Sequence, residues 1–509
     1  KAERTADSFV QWQGRIVTQV AASWLLSCVF VRTLEDRGLL GQPRIAGPGA
    51  LDSQKLFFEL SPSLTERDYL LTVFRELSRF PAAKDLFDAQ HSLLWKLSPS
   101  ANAAKELLGL FRTPSADTPA FRFGQTSTRF LGDLYQDLSE AVRKRYALLQ
   151  TPDFVESFIL DRTLEPAIER FGLDDTTIID PTCGSGHFLL GSFDRLFEHR
   201  QRHEPGIDVR QAAHKALDQV FGADINPYAV AIARFRLTLS YLDKAGFKKI
   251  SDAPELPLHL VVADSLLHNP HQKQLDFENQ DDASLDDWRS SDVFALEDEA
   301  AAKDVLHRQY AAVVGNPPYI TVKDAKLRDR YRAMYPRSAA REYSLAAPFC
   351  ERFFQLGRNR GYVGQITANS FMKRLFGEKL IQEYLPTVNL ELIVNTSGAY
   401  IPGHGTPTVL LFGTHETPRN REVLSVLAKR GEPSTPSDPS KGEVWSSIES
   451  HWNELEFEND YISIANTERD KLAQHPWSLA GGGVAELKQL LEERASETLG
   501  DVTAAIGFS

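Results

Sequence analysis

Three observations predict an α/β protein with a seven-stranded, mostly parallel sheet, preceded by a helical N-terminal domain. From residue 151 onward, short β-branched runs alternate with stretches that are apolar at helical spacing, and parallel strands need such crossovers to join them. The run 176–180 ends in an aspartate and passes through Pro181-Thr182-Cys183-Gly184-Ser185-Gly186 into an apolar stretch at Phe188. Glycines there let backbone approach a nucleotide-sized ligand closely. Finally, Asp180, Asp224, Asp264 and Asn316 recur at or just beyond the carboxyl ends of four successive predicted strands. In an open parallel sheet those ends share one edge, where ligands bind.

The strand candidates are 176–180, 220–225, 258–264, 310–315, 361–367, 390–396 and 408–413, with helices at 188–200, 228–242 and 346–356. Asn226-Pro227 supplies an N-cap and a first-turn proline for the second of these helices. The last two strands are joined by a loop through 399–405 that has no room for a helix, so they pair antiparallel. Upstream, helical spacing at 24–34, 69–80, 86–97 and 130–141 is punctuated by Pro/Ser-containing breaks, and no internal repeat or catalytic constellation is visible. Three units follow: a helical domain over 1–145, a catalytic domain over 146–420 with an acidic insertion near 270–305, and a linker with helices at 445–455 and 484–495 over 421–509. The run 501–509 suits the start of a further domain.

Composition narrows the class. With 509 residues, 42% hydrophobic and 25% charged, the chain reads as an ordinary soluble globular protein large enough for two or three domains. Cys28, Cys183 and Cys350 have no metal-binding spacing and suit a reducing compartment, so a cytoplasmic location is expected. The apolar run 20–31 is too short to cross a bilayer, and a buried amphipathic helix is the better reading. The net charge of −12 is uneven: 276–304 holds eleven acidic residues against two basic ones, whereas 320–341 holds seven basic against two acidic. The acidic block reads as a solvated insertion.

The ligand follows from the polar set. A dinucleotide site wants G-x-G-x-x-G and an acid about 20 positions on. Here the third glycine is missing, Asp224 lies too far downstream, and Asp180 would repel a pyrophosphate. A nucleoside with a cationic amino-acid tail fits better, and S-adenosylmethionine is such a ligand. Asp224 would accept from its ribose hydroxyls, Asp264 from its adenine amine, and Asp180 would lie near its ammonium.

Asn316-Pro317-Pro318-Tyr319 follows the fourth predicted strand. Alone, the tetrapeptide could be a turn. In this position it offers two acceptors, the Asn316 side-chain oxygen and the Pro317 carbonyl, for the two N–H groups of an amine whose lone pair is delocalised. Accepting both would localise that pair toward a methyl donor, and Tyr319 offers a face for a flipped base. Proximity and fixed dipoles would do the rest, with no metal required.

Taken in order, Thr151-Pro152-Asp153-Phe154-Val155, Asp180 to Gly186, Gly222 to Pro227, Ala263-Asp264-Ser265 and Asn316 to Tyr319 resemble the motifs of gamma-class adenine-specific DNA N6-methyltransferases. With residues 1–40 included, the chain is similar to the PglX-like methyltransferases of BREX phage-defence systems. The resemblance implies a Rossmann-like class I methyltransferase fold, a site-specific DNA substrate and a target-recognition domain beyond the run 501–509. It also implies a cofactor site at Thr151, Pro152, Phe154, Asp180, Pro181, Thr182, Cys183, Gly184, Gly186, Phe188, Asp224, Ile225, Asn226, Asp264, Ser265 and Asn316, with Thr151, Pro152 and Phe154 closing over the methionine end. The segments 343–349 and 361–371 would line the adenine pocket, Phe371 being either a second aromatic wall or core. Cys183 is structural, because a cytosine-C5 nucleophile belongs on the catalytic-strand loop.

Lys323, Lys326, Arg328 and Arg330 follow Tyr319 directly and are candidates to grip double-stranded DNA near a flipped base. Other phage-defence proteins are expected partners, and no membrane is. Three alternatives stay open. Asn-Pro-Pro-Tyr also serves protein glutamine-N5 and RNA amine methylation; the chain could be a cofactor-sensing defence subunit with little turnover; a nicotinamide dehydrogenase is remote.

Overall fold

The computed structural model describes residues 9–89, 92–112, 119–124, 128–132, 150–270 and 299–479, together with 481 and 494. The expectations for 133–141, the acidic block up to 298, the helix at 484–495 and the run 501–509 lie outside the described residues.

One sheet organises the chain, in the order β3-β2-β1-β4-β5-β7-β6-β8-β9. Its strands are β1 (Ile178–Asp180), β2 (Val220–Asp224), β3 (His259–Val262), β4 (Tyr310–Gly315), β5 (Gly357–Ala368), β6 (Asn389–Asn395), β7 (Thr408–Thr414), β8 (Glu422–Ala428) and β9 (Ile462–Glu468). The first five are parallel, with Ile178 opposite Val220 and Ile179 opposite Val313. β4 is buried along its whole length, which is why it reads as a continuous apolar run rather than an alternating one. β7 inserts antiparallel between β5 and β6, as expected for a closing pair.

Among the described residues the sheet has nine strands rather than seven, and it is mixed. β8 adds parallel to β6, and β9 adds antiparallel to β8. Both lie beyond 420, where a linker was expected. β8 satisfies the edge of β6 that would otherwise stand open, and buries Val423 and Val426. Their short runs are interrupted by polar residues, so alternation alone did not separate them from loop.

Helices cover both faces. His187–His203 and Pro227–Lys244 pack on one side, and Ala346–Leu356 on the other. The helices Asp153–Leu160, Leu164–Phe171, Val209–Leu217, Glu299–Leu306 and Ala325–Met334 were not anticipated. The expected helix at 86–97 resolves into a single turn, Lys84–Phe87, and a 3-10 turn, Leu93–Trp95. The first helix is longer than its apolar run suggested. It spans Phe9–Asp36, long and apolar enough by composition alone to cross a membrane. Two-thirds of that apolar window is buried inside the protein, however, and Phe30 stacks on Phe235 of Pro227–Lys244 at 4.1 Å. Cys28 is fully buried in this helix.

The helix Glu443–His451 carries Trp445 into the core, where its ring meets Phe154 at 4.7 Å and Phe158 at 5.4 Å. It therefore braces Asp153–Leu160, which leads directly from Thr151. Trp445→Ala should lower unfolding free energy by about 3–5 kcal/mol, the usual cost of emptying a buried aromatic site. Urea denaturation of both proteins would measure it; a difference under about 1 kcal/mol would show that the brace is dispensable.

Candidate functional site

The carboxyl ends of β3, β2, β1 and β4 lie side by side, so Asp264, Asp224, Asp180 and Asn316 emerge along one edge. Close backbone contacts tie these ends together. The Cys183 amide donates to the Ala223 carbonyl, the Ala263 amide to the Asp224 carbonyl, and the Ser265 hydroxyl to the Pro181 carbonyl at 2.6 Å. Gly186, at φ 84°, opens the helix His187–His203, and a Cβ there would stand 2.9 Å from Ala233 Cβ. Gly184, at φ 52°, faces open space, so the turn leaves its outer side free.

Asp180 is buried and accepts from the amide of Thr182 at 2.9 Å and from its hydroxyl at 3.1 Å. Burial pushes its carboxyl up to about 8; the Thr182 bonds oppose the shift and the neighbouring Asp224 charge adds to it. Asp224 accepts from the amides of Gly184 at 3.0 Å and Asn226 at 2.8 Å. Burial pushes it to about 6 against those two bonds. Two buried acids at a sheet edge, with no cationic partner among the described residues, are costly unless something else is served by them. Ile225, beside them, is 50% exposed despite being apolar.

Asp264 differs from its expected open acceptor role. It is 7% exposed and already accepts from the Leu266 amide at 3.0 Å and from the Tyr331 hydroxyl. Tyr331 lies on Ala325–Met334, so the helix bearing Lys326, Arg328 and Arg330 is latched onto this edge. Lys323 and Lys326 are exposed, whereas Arg328 and Arg330 are half-buried.

Asn316 sits at the centre. Its amide nitrogen donates to Thr151 Oγ1 at 3.2 Å and lies 3.3 Å from His404 Nε2; its Oδ1 accepts from the Tyr319 hydroxyl at 2.7 Å. Among the described residues no backbone hydrogen bond ends on the Pro317 carbonyl. The Tyr319 ring stands 6.0 Å from the His404 ring. Burial lowers the His404 imidazole below its ordinary range, against the bond to the Pro402 carbonyl.

Several predicted site residues are placed elsewhere or do something else. Phe371 is in the core, 2% exposed and edge-on to Trp477 at 5.7 Å, so it is no pocket wall. Phe188 is likewise core, and half-buried Phe154 packs on Trp445. Asn226 caps Pro227–Lys244 through its Oδ1. Cys183 is buried with its thiol pushed well above the ordinary range, which suits a structural role. Pro152, Pro181 and Pro317 are buried at the same edge, and Thr182 and Pro318 half-buried there. His404 and Tyr331 were not singled out: the first is a lone histidine in a loop, the second is hidden inside a basic run. The one available signal was the pair of glycines flanking His404.

Comparison with known proteins finds similarity to restriction-modification methylases over part of the chain. Residues 218–401 match the family described as Eco57I restriction-modification methylase. More particularly, the chain is 43% identical over 520 residues to the adenine-specific methyltransferase PglX of Streptomyces coelicolor (strain ATCC BAA-471 / A3(2) / M145), covering 96% of this chain and 43% of that protein. It is 25% identical over 350 residues to the type II restriction enzyme and methyltransferase RM.Eco57I of Escherichia coli, covering 60% of this chain and 32% of that one. The chain thus spans less than half the length of the curated relatives it matches. The solved type IIG restriction endonuclease BpuSI shares the fold, with a TM-score of 0.50 at 13% identity over 96% of this chain and 47% of its own. The resemblance to adenine-specific methyltransferases carried by the motifs is borne out by these matches.

The buried acids make stability depend on pH in a defined sense. Asp180 titrates near 8 when folded and near the ordinary carboxylate value when unfolded, so the native state holds the proton more tightly in between. Its contribution is fully present below the unfolded value and is lost as pH rises through about 8. Asp180→Asn should therefore gain on the wild type in urea midpoint from pH 5 upward, levelling off above 8. A pH-independent gap between the two proteins would contradict this.

Proposed function

We propose that this chain carries the methyl-transfer unit of a DNA methyltransferase that uses S-adenosyl-L-methionine to methylate adenine N6. The observation that supports it most is the pair of acceptors at Asn316 and Pro317, set beside two buried carboxylates at the edge of a parallel sheet. The finer fold assignment is a Rossmann-like class I methyltransferase core, extended by β8 and β9.

The residues fit the cofactor. The open outer side of Gly184 admits close backbone approach, and Ile225 is exposed where an apolar ring needs a surface. Asp224 would hold the ribose hydroxyls, Asp180 would face the ammonium, and Thr182 and Ser265 orient the surrounding turns. The cofactor supplies an electrophilic methyl group. Asn316 Oδ1 and the Pro317 carbonyl accept hydrogen bonds from the two N–H groups of the target amine, drawing its electron pair out of the ring. Tyr319 gives that base a stacking face, and its hydroxyl yields or shares Oδ1 when the base enters. Asp264, occupied by Tyr331, would meet the cofactor's adenine only by sharing its remaining lone pairs.

Lys323 and Lys326 stand exposed at the amino end of the helix that follows, suited to phosphates near an extruded base. Double-stranded DNA is the partner this chemistry favours, in the cytoplasm, and the motif resemblance sets it in BREX-type phage defence beside other defence proteins. A helical unit over 1–145, followed by a methyltransferase unit that carries the acidic insertion and extends through β9, belongs to the same proposal.

Transfer of labelled methyl to duplex DNA, compared with RNA and a glutamine-bearing release factor, tests the substrate. Asn316→Ala in the full-length protein should cut DNA methylation by on the order of 10²–10³ while cofactor affinity stays within a few-fold. Methylation of RNA or protein instead of DNA would overturn the assignment.

Cofactor binding should also release a proton. At pH 7 Asp180 holds its proton, and an arriving cation favours the ionised form, so about one proton leaves per cofactor bound. Calorimetry in buffers of different ionisation enthalpy would read this directly. Binding heat that is independent of the buffer would place the cation away from Asp180.

A further inference from the structure

A primary amide can be seated either way round, and in Asn316 only one sense leaves an oxygen on the Tyr319 side. Two of its three partners do not decide the matter. The Thr151 and Tyr319 hydroxyls can each donate or accept. His404 can decide it, because its own proton is committed. The imidazole Nδ1 lies 3.2 Å from the Pro402 carbonyl, which only accepts, so Nδ1 carries the hydrogen. The bare Nε2, 3.3 Å from Asn316, can then only accept, and the NH₂ end of the amide must face it.

The backbone delivers this arrangement. The His404 amide donates to the Ile401 carbonyl at 3.2 Å, with Pro402 and Gly403 between them. Gly403 has φ 78°, the pattern of a type II turn with proline first and a left-handed glycine second. Proline fixes one half of the turn, and glycine adopts the other half without strain. The turn folds the imidazole back on the carbonyl two residues earlier, which selects its tautomer.

We propose that His404 is a positioning residue for methyl transfer: it holds the Asn316 amide nitrogen on the loop side, so that Oδ1 stands ready to accept from the target amine. The chain of cause runs from the Pro402 carbonyl to the imidazole tautomer, to the sense of the Asn316 amide, to the acceptor. Reversing the amide would set Oδ1 against the bare Nε2, acceptor facing acceptor. This inference rests on the reading of Asn316 as an amine acceptor.

The test compares His404→Leu with His404→Gln in the full-length protein. Leucine keeps bulk and loses the acceptor, while glutamine offers an amide oxygen near the place of Nε2. His404→Leu should reduce kcat for duplex DNA about 30- to 100-fold, on the scale of one lost preorganised group, with KM and cofactor affinity within about threefold. His404→Gln should recover most of the loss. In an Asn316→Ala background, His404→Leu should cost nothing further. The proposal is overturned if leucine turns over like the wild type, if glutamine is no better than leucine, or if cofactor affinity and melting temperature fall together with kcat. Imidazole ¹⁵N shifts provide a readout that needs no DNA. An Nδ1-protonated ring whose Nε2 shift moves in Asn316→Ala supports the arrangement, and an Nε2-protonated ring refutes it. If the ring is Nδ1-protonated but no methyl reaches DNA, the failure lies with the substrate assignment and not with the positioning contact.

Discussion

β1 and β4 run side by side with Ile179 opposite Val313, and they approach so closely at their carboxyl ends that a Cβ on Gly315 would stand 2.5 Å from Asp180 Oδ1. It would also meet Phe353 at 2.9 Å and Thr182 Oγ1 at 3.0 Å. Only a residue without a side chain fits there. That absence brings the next residue, Asn316, up to the turn carrying Asp180 and Thr182. The acidic strand ends and the acceptor tetrapeptide thus share one site because two parallel strands touch where glycine permits it. Everything further out, including the Thr151 contact and the His404 loop, closes onto an Asn316 already placed by this pairing.

The carboxylates along the edge show what that closeness costs. Asp180 and Asp224 both have raised pKa values, burial being the larger cause in each. Buried acids are normally paired with Arg or Lys, as Glu35 and Asp36 are with Arg32 in the first helix. Among the described residues, the hydrogen-bond partners of Asp180 and Asp224 are backbone amides and the Thr182 hydroxyl. Hydrogen bonds of this sort orient a carboxyl group without supplying a counter-charge, an arrangement suited to a cationic ligand that favours its ionised form.

The parts legible in the chain were those with local causes. β4 could be placed to the residue because six consecutive buried positions leave a continuous apolar signature, and Asn226-Pro227 announces a helix start by its own chemistry. Asp180, Asp224, Asp264 and Asn316 could be aligned because parallel topology converts sequence order into a shared edge. Long-range contacts were not legible. Nothing around Tyr331 signals that its hydroxyl reaches Asp264 across 67 positions, and nothing around Trp445 signals that it braces Phe154. Phe371 was open between wall and core in the sequence, and Trp477, over a hundred residues later, encloses it in the core. β8 and β9 were missed because their strand character comes from pairing with β6 and each other rather than from their own weak alternation.

The reversed strand explains why a loop so late in the chain can reach the centre of the site. β5 parallels β4, so its carboxyl end lies on the ligand edge. β7 runs against β5, and β6 against β7, which restores β6 to the direction of the parallel strands. The loop over 396–407 therefore leaves from the carboxyl end of β6 and enters the amino end of β7, and both points face the same edge as Asn316. A parallel crossover would have spent those residues on a helix across the sheet. The antiparallel insertion frees them to stand over the edge instead. β8, by occupying the far side of β6, keeps that strand internal so that the loop has a rigid base. The mixed portion of the sheet is thus what lets the parallel portion be covered from above by its own chain.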